Sequence, residues 1–249
     1  MMSRSYHADD RTFQKLRAAG KTSWDEQSDP DASFDKFVLR PFLEDALAAI
    51  ATPLEGLAAL EIGCGSGPVA CFLAGRGLAV RGIDVSPTAL EMAQQNAAAR
   101  GLKVQFDSAD ICNMPEQAER YDLIVDGHCL HCLVWDEHRQ CALAAIHRLL
   151  KPGGLFLIET MISHPRLVVQ GNYRIDKQGV LSIKVNDPAG VDRPFKSDGE
   201  WFAPYRRLFT AEQVIAELGR AGFVVLSQRA IEQGDPRKPM LMQIRATSH

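Results

Sequence analysis

The chain has 249 residues, 46% of them hydrophobic and 24% charged, which suits one large α/β domain, or one with an insertion, better than two independent domains. Its 28 basic and 31 acidic side chains leave a net charge of −3 with no basic block, which argues against a dedicated nucleic-acid binder. No stretch approaches the ~20 apolar residues that cross a bilayer, and residues 1–10 lack the apolar core of a secretory signal.

The six cysteines, Cys64, Cys71, Cys112, Cys129, Cys132 and Cys141, are scattered through apolar segments. They read as reduced thiols of a cytoplasmic protein, not as a disulfide framework.

In chain order, residues 1–32 are polar and weakly periodic, with a short helix expected over 11–19. Ser33 is placed to cap a helix over 34–51, in which Pro41 implies a kink or break. From residue 57 strand and helix alternate. Strands are expected over 57–62, 79–83, 103–106, 121–125 and 155–159, and helices over 68–76, 87–100 and 137–150. Such alternation builds crossover units around a mostly parallel sheet covered on both faces. The rhythm lapses over 163–205, where β-prone runs at 173–176 and 180–185 flank Lys177-Gln178-Gly179, a hairpin signal. It returns with Thr210 as cap, a helix to Ala221, Gly222 as stop, and strands over 223–228 and 240–245. The link between these last two is too short for a helical crossover, so they should be antiparallel.

Glu61-Ile62-Gly63-Cys64-Gly65-Ser66-Gly67 joins the first strand to its helix. Glycines there let the backbone turn sharply and approach a ligand, and the helix N-terminus offers free N–H groups. The G-x-G-x-G spacing differs from the dinucleotide G-x-G-x-x-G fingerprint, and no Lys-Ser/Thr pair follows, so the loop is not a P-loop. Asp84 ends the second strand about 20 residues on, where a carboxylate meets ribose hydroxyls. The expected ligand has an adenosine-like ribose and needs no pyrophosphate contacts.

The segment from Leu60 to Glu159 resembles the class I S-adenosylmethionine-dependent methyltransferases. The resemblance is carried by Leu60–Gly67, by Gly82-Ile83-Asp84-Val85-Ser86 and by Asp107-Ser108-Ala109-Asp110-Ile111. It continues in Tyr121-Asp122-Leu123-Ile124-Val125-Asp126 through His131, in Leu149-Leu150-Lys151-Pro152-Gly153-Gly154, and in Phe209-Thr210 with Ala221-Gly222-Phe223. It implies a Rossmann-like, doubly wound, mostly parallel seven-stranded sheet with the last strand antiparallel, plus a β-hairpin cap insertion. It divides one methyltransferase domain into an N-terminal helical lid and substrate segment (1–55), a cofactor core (56–162), a cap insertion (163–205) and a C-terminal core (206–249). The cofactor implied is S-adenosyl-L-methionine, with S-adenosyl-L-homocysteine as product. Glu61, Gly63, Cys64, Gly65 and Gly67 should lie along it, Asp84 and Val85 at the ribose, Asp110 and Ile111 at adenine, and Asp126 and Gly127 at its sulfonium and amino-acid end.

His128-Cys129-Leu130-His131-Cys132 admits three uses: a redox pair, metal ligation, or packing with a catalytic histidine. No second ligand pair exists at a distance, so no metal is expected, and the cysteines read as small packed residues. His128 and His131 are the catalytic candidates; His128, nearer the strand end, can take a proton from the attacking group. Candidate substrate contacts are Tyr6, Trp24, Tyr173, Trp201 and Tyr205, with His7, Phe34, Arg174, Phe202 and Arg206 beside them. The expected reaction is O-, N- or S-methylation of a small molecule by a monomer or homodimer. The alternatives are a protein or RNA acceptor, a non-catalytic S-adenosylmethionine sensor, and a nucleotide-dependent oxidoreductase; the last lacks a Tyr-x-x-x-Lys pair. The fourth-strand segment lacks the Asn/Asp-Pro-Pro-Tyr/Phe of amino-methylating nucleic-acid enzymes.

Overall fold

A computed structural model describes residues 6–27, 31–115, 120–235 and 237–248. Its first element is helix α1 (Tyr6–Ala18), followed by α2 (Arg40–Ala48), β1 (Ala58–Ile62), α3 (Pro68–Ala74), β2 (Ala79–Asp84), α4 (Pro87–Ala99) and β3 (Gln105–Ser108). Next come β4 (Tyr121–Gly127), α5 (Asp136–Leu149), β5 (Leu150–Ile162), β6 (Tyr173–Ile175), β7 (Val180–Val185), β8 (Phe195–Ser197) and β9 (Glu200–Arg207). Helix α6 (Ala211–Arg220) and strands β10 (Phe223–Ile231) and β11 (Met240–Ser248) close the chain.

Seven strands form the main sheet in the order β10-β11-β5-β4-β1-β2-β3. Only β11 runs against its neighbours, pairing antiparallel with both β10 and β5. This is the Rossmann-like, mostly parallel seven-stranded sheet that the resemblance implied, with the antiparallel strand in the expected place.

The strand period builds two cores. Leu60, Ile62, Ile124, Phe156 and Ile158 point to one face and pack with α5 and α6 through Leu143, Ile146 and Leu218. Ala59, Leu123, Val125 and Leu157 point to the other and pack with α2 and α3 through Leu43, Leu47, Val69 and Leu73. Strands buried on both faces read as continuous apolar runs because neither parity meets water.

Several boundaries move. The helix expected over 34–51 is only α2. Pro41 sits in its first turn, where no N–H is missed, so it starts the helix instead of kinking it. Phe34 and Phe37 are buried from turns ahead of α2, which mimics helical spacing. The first helix is longer than expected, the third strand starts two residues late, and Lys151-Pro152-Gly153-Gly154 lies inside β5. Thr210 caps α6 in a reciprocal box with Gln213.

The expected hairpin is present as β6 and β7, but it is half of a larger unit. Strands β9 and β8 extend it to a four-stranded antiparallel sheet in the order β6-β7-β9-β8. A short hairpin alone buries too little to be stable, and β9 supplies the missing partner. No helix among the described residues is long and apolar enough to cross a membrane.

Candidate active site

The carboxyl ends of β1, β2, β4 and β5 open into one cavity of about 760 Å³. Helix α1 and the segment 23–25 cover one side, and the loop 167–170 with β6, β7 and β9 covers another.

The glycine loop forms its floor. Gly63 has φ 62° and Gly65 φ 52°, the left-handed region that side chains avoid. A Cβ on Gly63 would stand 2.7 Å from Cβ of Cys129, and one on Gly65 would stand 3.1 Å from the Phe13 ring. Gly67 does not reach the cavity wall; it begins α3 against Phe106 and Ala93.

Four strand-end carboxylates surround this floor, with different duties. Asp84 lines the cavity and accepts from the Gly65 N–H and the Ser86 N–H, both at 2.8 Å, so it ties the glycine loop to the start of α4. Val85 lines the wall beside it. Glu61 is buried at the cavity edge, and its Oε2 has no hydrogen-bond partner. Burial foremost, then the charges of Asp84 and Asp126, hold its carboxyl well above the usual range, against the N–H of Ala70.

Asp126, expected at the amino-acid end of the cofactor, turns inward and lies outside the cavity wall. It is fully buried and accepts from the N–H of Cys129 at 2.7 Å and of Leu130 at 3.2 Å, pinning the turn that carries the histidines. Burial pushes its carboxyl up to about 6, against those bonds. Glu159 is the fourth.

His128 stands at the cavity with a backbone φ of 76°, a conformation few non-glycine residues adopt. Its Nε2 lies 2.7 Å from Oε1 of Glu159, which has no solvent exposure. Burial alone would push the imidazole down, but the hydrogen bond and charge of Glu159 outweigh it and hold the histidine above its ordinary value. His131 is the opposite case. Burial, then the charges of Arg206, His128 and Arg139, hold it well below the ordinary value. Its Nδ1 accepts the Met161 N–H at 3.1 Å, so the neutral ring carries its proton on Nε2 and can only donate there. Of the two rings, His131 therefore presents only a donor at Nε2, while His128 is the one paired with a carboxylate.

Cys129 packs on Gly63, and Cys132 Sγ donates to the His128 carbonyl at 3.2 Å. Among the described residues, no three His, Cys, Asp or Glu side chains converge as a metal site. Asp110 and Ile111, expected at adenine, line the wall, and Asp110 caps its own turn through the Cys112 N–H at 2.9 Å.

Of the expected substrate contacts, Trp24, Tyr173, Tyr205 and Arg206 line the cavity together with Gly127. Trp24 leans on Phe13, ring centres 5.3 Å apart. Trp201 does not line it: it sits on the outer sheet under the Lys196 ammonium. Phe34 packs beneath Arg100, Phe202 stacks on Phe195, and Arg174 pairs with Asp198. The side chains of Tyr6 and His7 lie outside the described residues.

Sequence reasoning missed Glu159, Phe13, Asp25 and the apolar wall of Met161, Leu181, Leu208 and Leu241. Glu159 had a signal: like Asp84 and Asp126 it follows an apolar strand run at the end of the sheet where the other strands also carry an acid. The wall residues had none, since they alternate as any strand does.

Residues 59–154 match the methyltransferase-domain family. The chain is 30% identical over 166 residues to a ubiquinone biosynthesis O-methyltransferase of Pseudomonas aeruginosa, covering 66% of this chain and 67% of that protein. It is 37% identical over 100 residues to a 2-heptyl-1-hydroxyquinolin-4(1H)-one methyltransferase of Mycobacteroides abscessus, covering 40% and 44%. The matches to other such relatives span as little as 43% of their length, and 62% in an Alkalilimnicola ehrlichii ubiquinone biosynthesis O-methyltransferase. An S-adenosylmethionine-dependent methyltransferase from Clostridium acetobutylicum superposes with a TM-score of 0.60 over 98% of each chain at 15% identity, a likeness of fold alone. Sheet order, glycine loop and strand-end acids define a nucleoside-cofactor α/β protein. The chain belongs to the class I S-adenosylmethionine-dependent methyltransferases.

Proposed function

We propose that the protein transfers the methyl group of S-adenosylmethionine to a hydroxyl oxygen of an apolar small molecule. The observation that carries this reading is that one cavity joins the glycine loop to a histidine backed by a buried carboxylate.

The cofactor fits residues already present. The orphaned, buried Oε2 of Glu61 calls for a cationic donor, and an amino-acid ammonium is one. Asp84 has lone pairs for ribose hydroxyls, and the turn at Asp110–Ile111 forms a wall for adenine. S-adenosylmethionine, when bound, supplies a methyl carbon already activated by its sulfonium. The protein's share is then to position the acceptor in line and exclude water.

His128 performs the proton step. Its ring nitrogen takes the hydroxyl proton as the oxygen attacks, and Glu159 stabilises the imidazolium that forms. A hydroxyl needs such a base at neutral pH, whereas a free thiolate or amine does not. The apolar wall of Met161, Leu181, Leu208 and Leu241 suits an apolar acceptor body. We read the segments 1–55 and 163–205 as the enclosure of that acceptor, since Trp24 comes from one and Tyr173 from the other. Two of the relatives above, named for ubiquinone biosynthesis and for a hydroxyquinolinone, agree with this class of acceptor.

The test has two parts. S-adenosylhomocysteine should raise the melting temperature, as a ligand selective for the folded state does. Labelled methyl transfer should then be followed on paired apolar phenols, amines and thiols. Transfer to phenols is expected. Absence of binding overturns the cofactor assignment, and transfer to amines alone overturns the hydroxyl acceptor.

A further inference from the structure

A row of polar side chains crosses four strands of the main sheet from the cavity to its edge. Gly127, just before His128, is in register with Glu159, Glu159 with Gln243, and Gln243 with Arg229. Their side chains are bonded in the same order. His128 Nε2 meets Glu159 Oε1 at 2.7 Å, Gln243 Nε2 meets Glu159 Oε2 at 2.5 Å, and Arg229 Nη2 meets Gln243 Oε1 at 2.9 Å. Glu159 and Gln243 are buried, while Arg229 is exposed on the edge strand β10. Nothing in the packing of this sheet asks for a buried carboxylate and amide in its middle, and burying them costs free energy unless each is fully bonded.

The direction of every bond follows from its outer end. A guanidinium has donors only, so Gln243 must turn its oxygen to Arg229 and its NH2 to Glu159. Glu159 Oε2 is thereby an acceptor. An ionised Glu159 then accepts at Oε1 as well, and the partner proton sits on His128 Nε2.

We propose that Arg229 and Gln243 are positioning residues for His128: they hold Glu159 as an ionised acceptor and so fix the ring in the form with its proton on Nε2 and its lone pair on Nδ1. The inference rests on the reading of His128 as the base. Its chemical content is that Nδ1 is the atom that takes the acceptor's proton. The outer pair also moderates the inner one. Glu159 strengthens the hold of His128 on its second proton, and the Gln243 N–H and the Arg229 charge withdraw density from that carboxylate. Removing either should make His128 hold its second proton more tightly, leaving less free base at pH 7. The other groups that face His128 are Asp126 and His131 from its own segment and Asp25 from the N-terminal turn. None of them belongs to the row, so they stay constant across the variants.

The experiment is a pH titration of the histidine ring nitrogens by two-bond 1H–15N correlation on the full-length protein saturated with S-adenosylhomocysteine. The wild-type His128 should show a protonated Nε2 and a bare Nδ1 once neutral. Arg229→Ala and Gln243→Leu should raise its apparent pKa by about half a unit or more and mix the two tautomers. Arg229→Lys should restore most of the wild-type behaviour, and Glu159→Gln should move the pKa the opposite way. The acidic limb of kcat against pH should shift with it, lowering kcat several-fold at pH 7 while KM stays put. Unchanged tautomer and pKa in Arg229→Ala, an exposed site that keeps the fold, would overturn the proposal even if Gln243→Leu fails to fold. If the titrations move as stated but His128→Ala keeps full turnover, the row stands and the base assignment falls.

Discussion

Glu61→Gln should stabilise the empty protein and weaken its cofactor. Glu61 is 3% exposed, and one carboxylate oxygen has no partner. A buried polar group left unsatisfied costs about 1–3 kcal/mol, more if charged. The amide keeps an oxygen for the Ala70 N–H and puts an equally unpaired NH2 in place of Oε2, so the gain comes from removing the buried charge that Asp84 and Asp126 oppose. A gain of about 1–3 kcal/mol corresponds to roughly 2–12 °C in melting temperature for a chain of this size. The ligated protein should show the reverse, because a hydrogen bond to a charged group is worth about 1.5–3 kcal/mol, or about ten- to a hundredfold in affinity. The pH dependence has a definite sign. The folded carboxyl titrates above its unfolded value, so its ionisation costs stability at pH above the folded value. That cost disappears as pH falls through the raised folded pKa toward the unfolded value near 4.5. The advantage of Glu61→Gln should therefore be present at pH 8 and gone near pH 4. Thermal melts across pH and calorimetry with S-adenosylhomocysteine read both effects. Equal melting temperatures at pH 8 together with unchanged affinity would refute the reasoning.

His128→Ala should keep S-adenosylhomocysteine affinity within about threefold and lower turnover by ~10²-fold or more, with the acidic limb of the pH profile lost; steady-state kinetics from pH 5 to 9 check this. Arg139, 1% exposed, holds Glu217 through two bonds of 2.7 and 2.6 Å and carries the carbonyl of Leu130. Arg139→Met alone should cost about 3–5 kcal/mol by stranding Glu217, and Arg139→Met with Glu217→Leu should recover most of that in denaturant melts. Asp10 reaches from α1 to the start of α4, accepting from Ser86 Oγ at 2.7 Å and the Thr88 N–H at 3.1 Å. Burial raises its carboxyl, but these bonds outweigh it and hold it below the usual value, so its contribution is present near neutral pH and fades in acid. Asp10→Ala should cost about 0.5–2 kcal/mol and speed trypsin cleavage within α1.

Much of this site was legible in the sequence because its chemistry sits where period and punctuation are strongest. The G-x-G-x-G loop, Asp84 and His128 follow apolar runs whose ends are marked by glycine, serine or a charge, Asp110 follows the short polar strand β3, and the structure brings them to one cavity. The failures share a cause. Phe34 and Phe37 carried helical spacing into a turn, since burial and not helix selects large apolar residues there. Strand β9 was missed because its apolar residues are interrupted by Pro204, which falls at the irregular register between β7 and β9. Trp201 was credited to the cavity on aromatic character alone; it pairs with Val185, four residues along β7 from the cavity-lining Leu181, and so lies beyond the cavity.

The strand-end acids show where reading by residue type stops. Glu61, Asp84, Asp126 and Glu159 occupy comparable places on four adjoining strands, and the sequence offers no reason to separate them. The structure separates them by what reaches each carboxylate. Backbone N–H groups from the following turn claim both functions of Asp126, so it builds the loop. Those of Gly65 and Ser86 orient Asp84 while leaving it in the cavity wall. Glu61 is left with a buried oxygen that nothing among the described residues reaches, which is why we give it the ammonium of the cofactor. Glu159 finds a histidine in an unusual backbone conformation on one side and an amide from the antiparallel strand on the other. That last partner exists only because β11 is threaded between β5 and β10, placing Gln243 beside Glu159 and Arg229 beside Gln243. The order of strands, which no local motif encodes, thus decides which of four similar acids is held between a histidine and an amide.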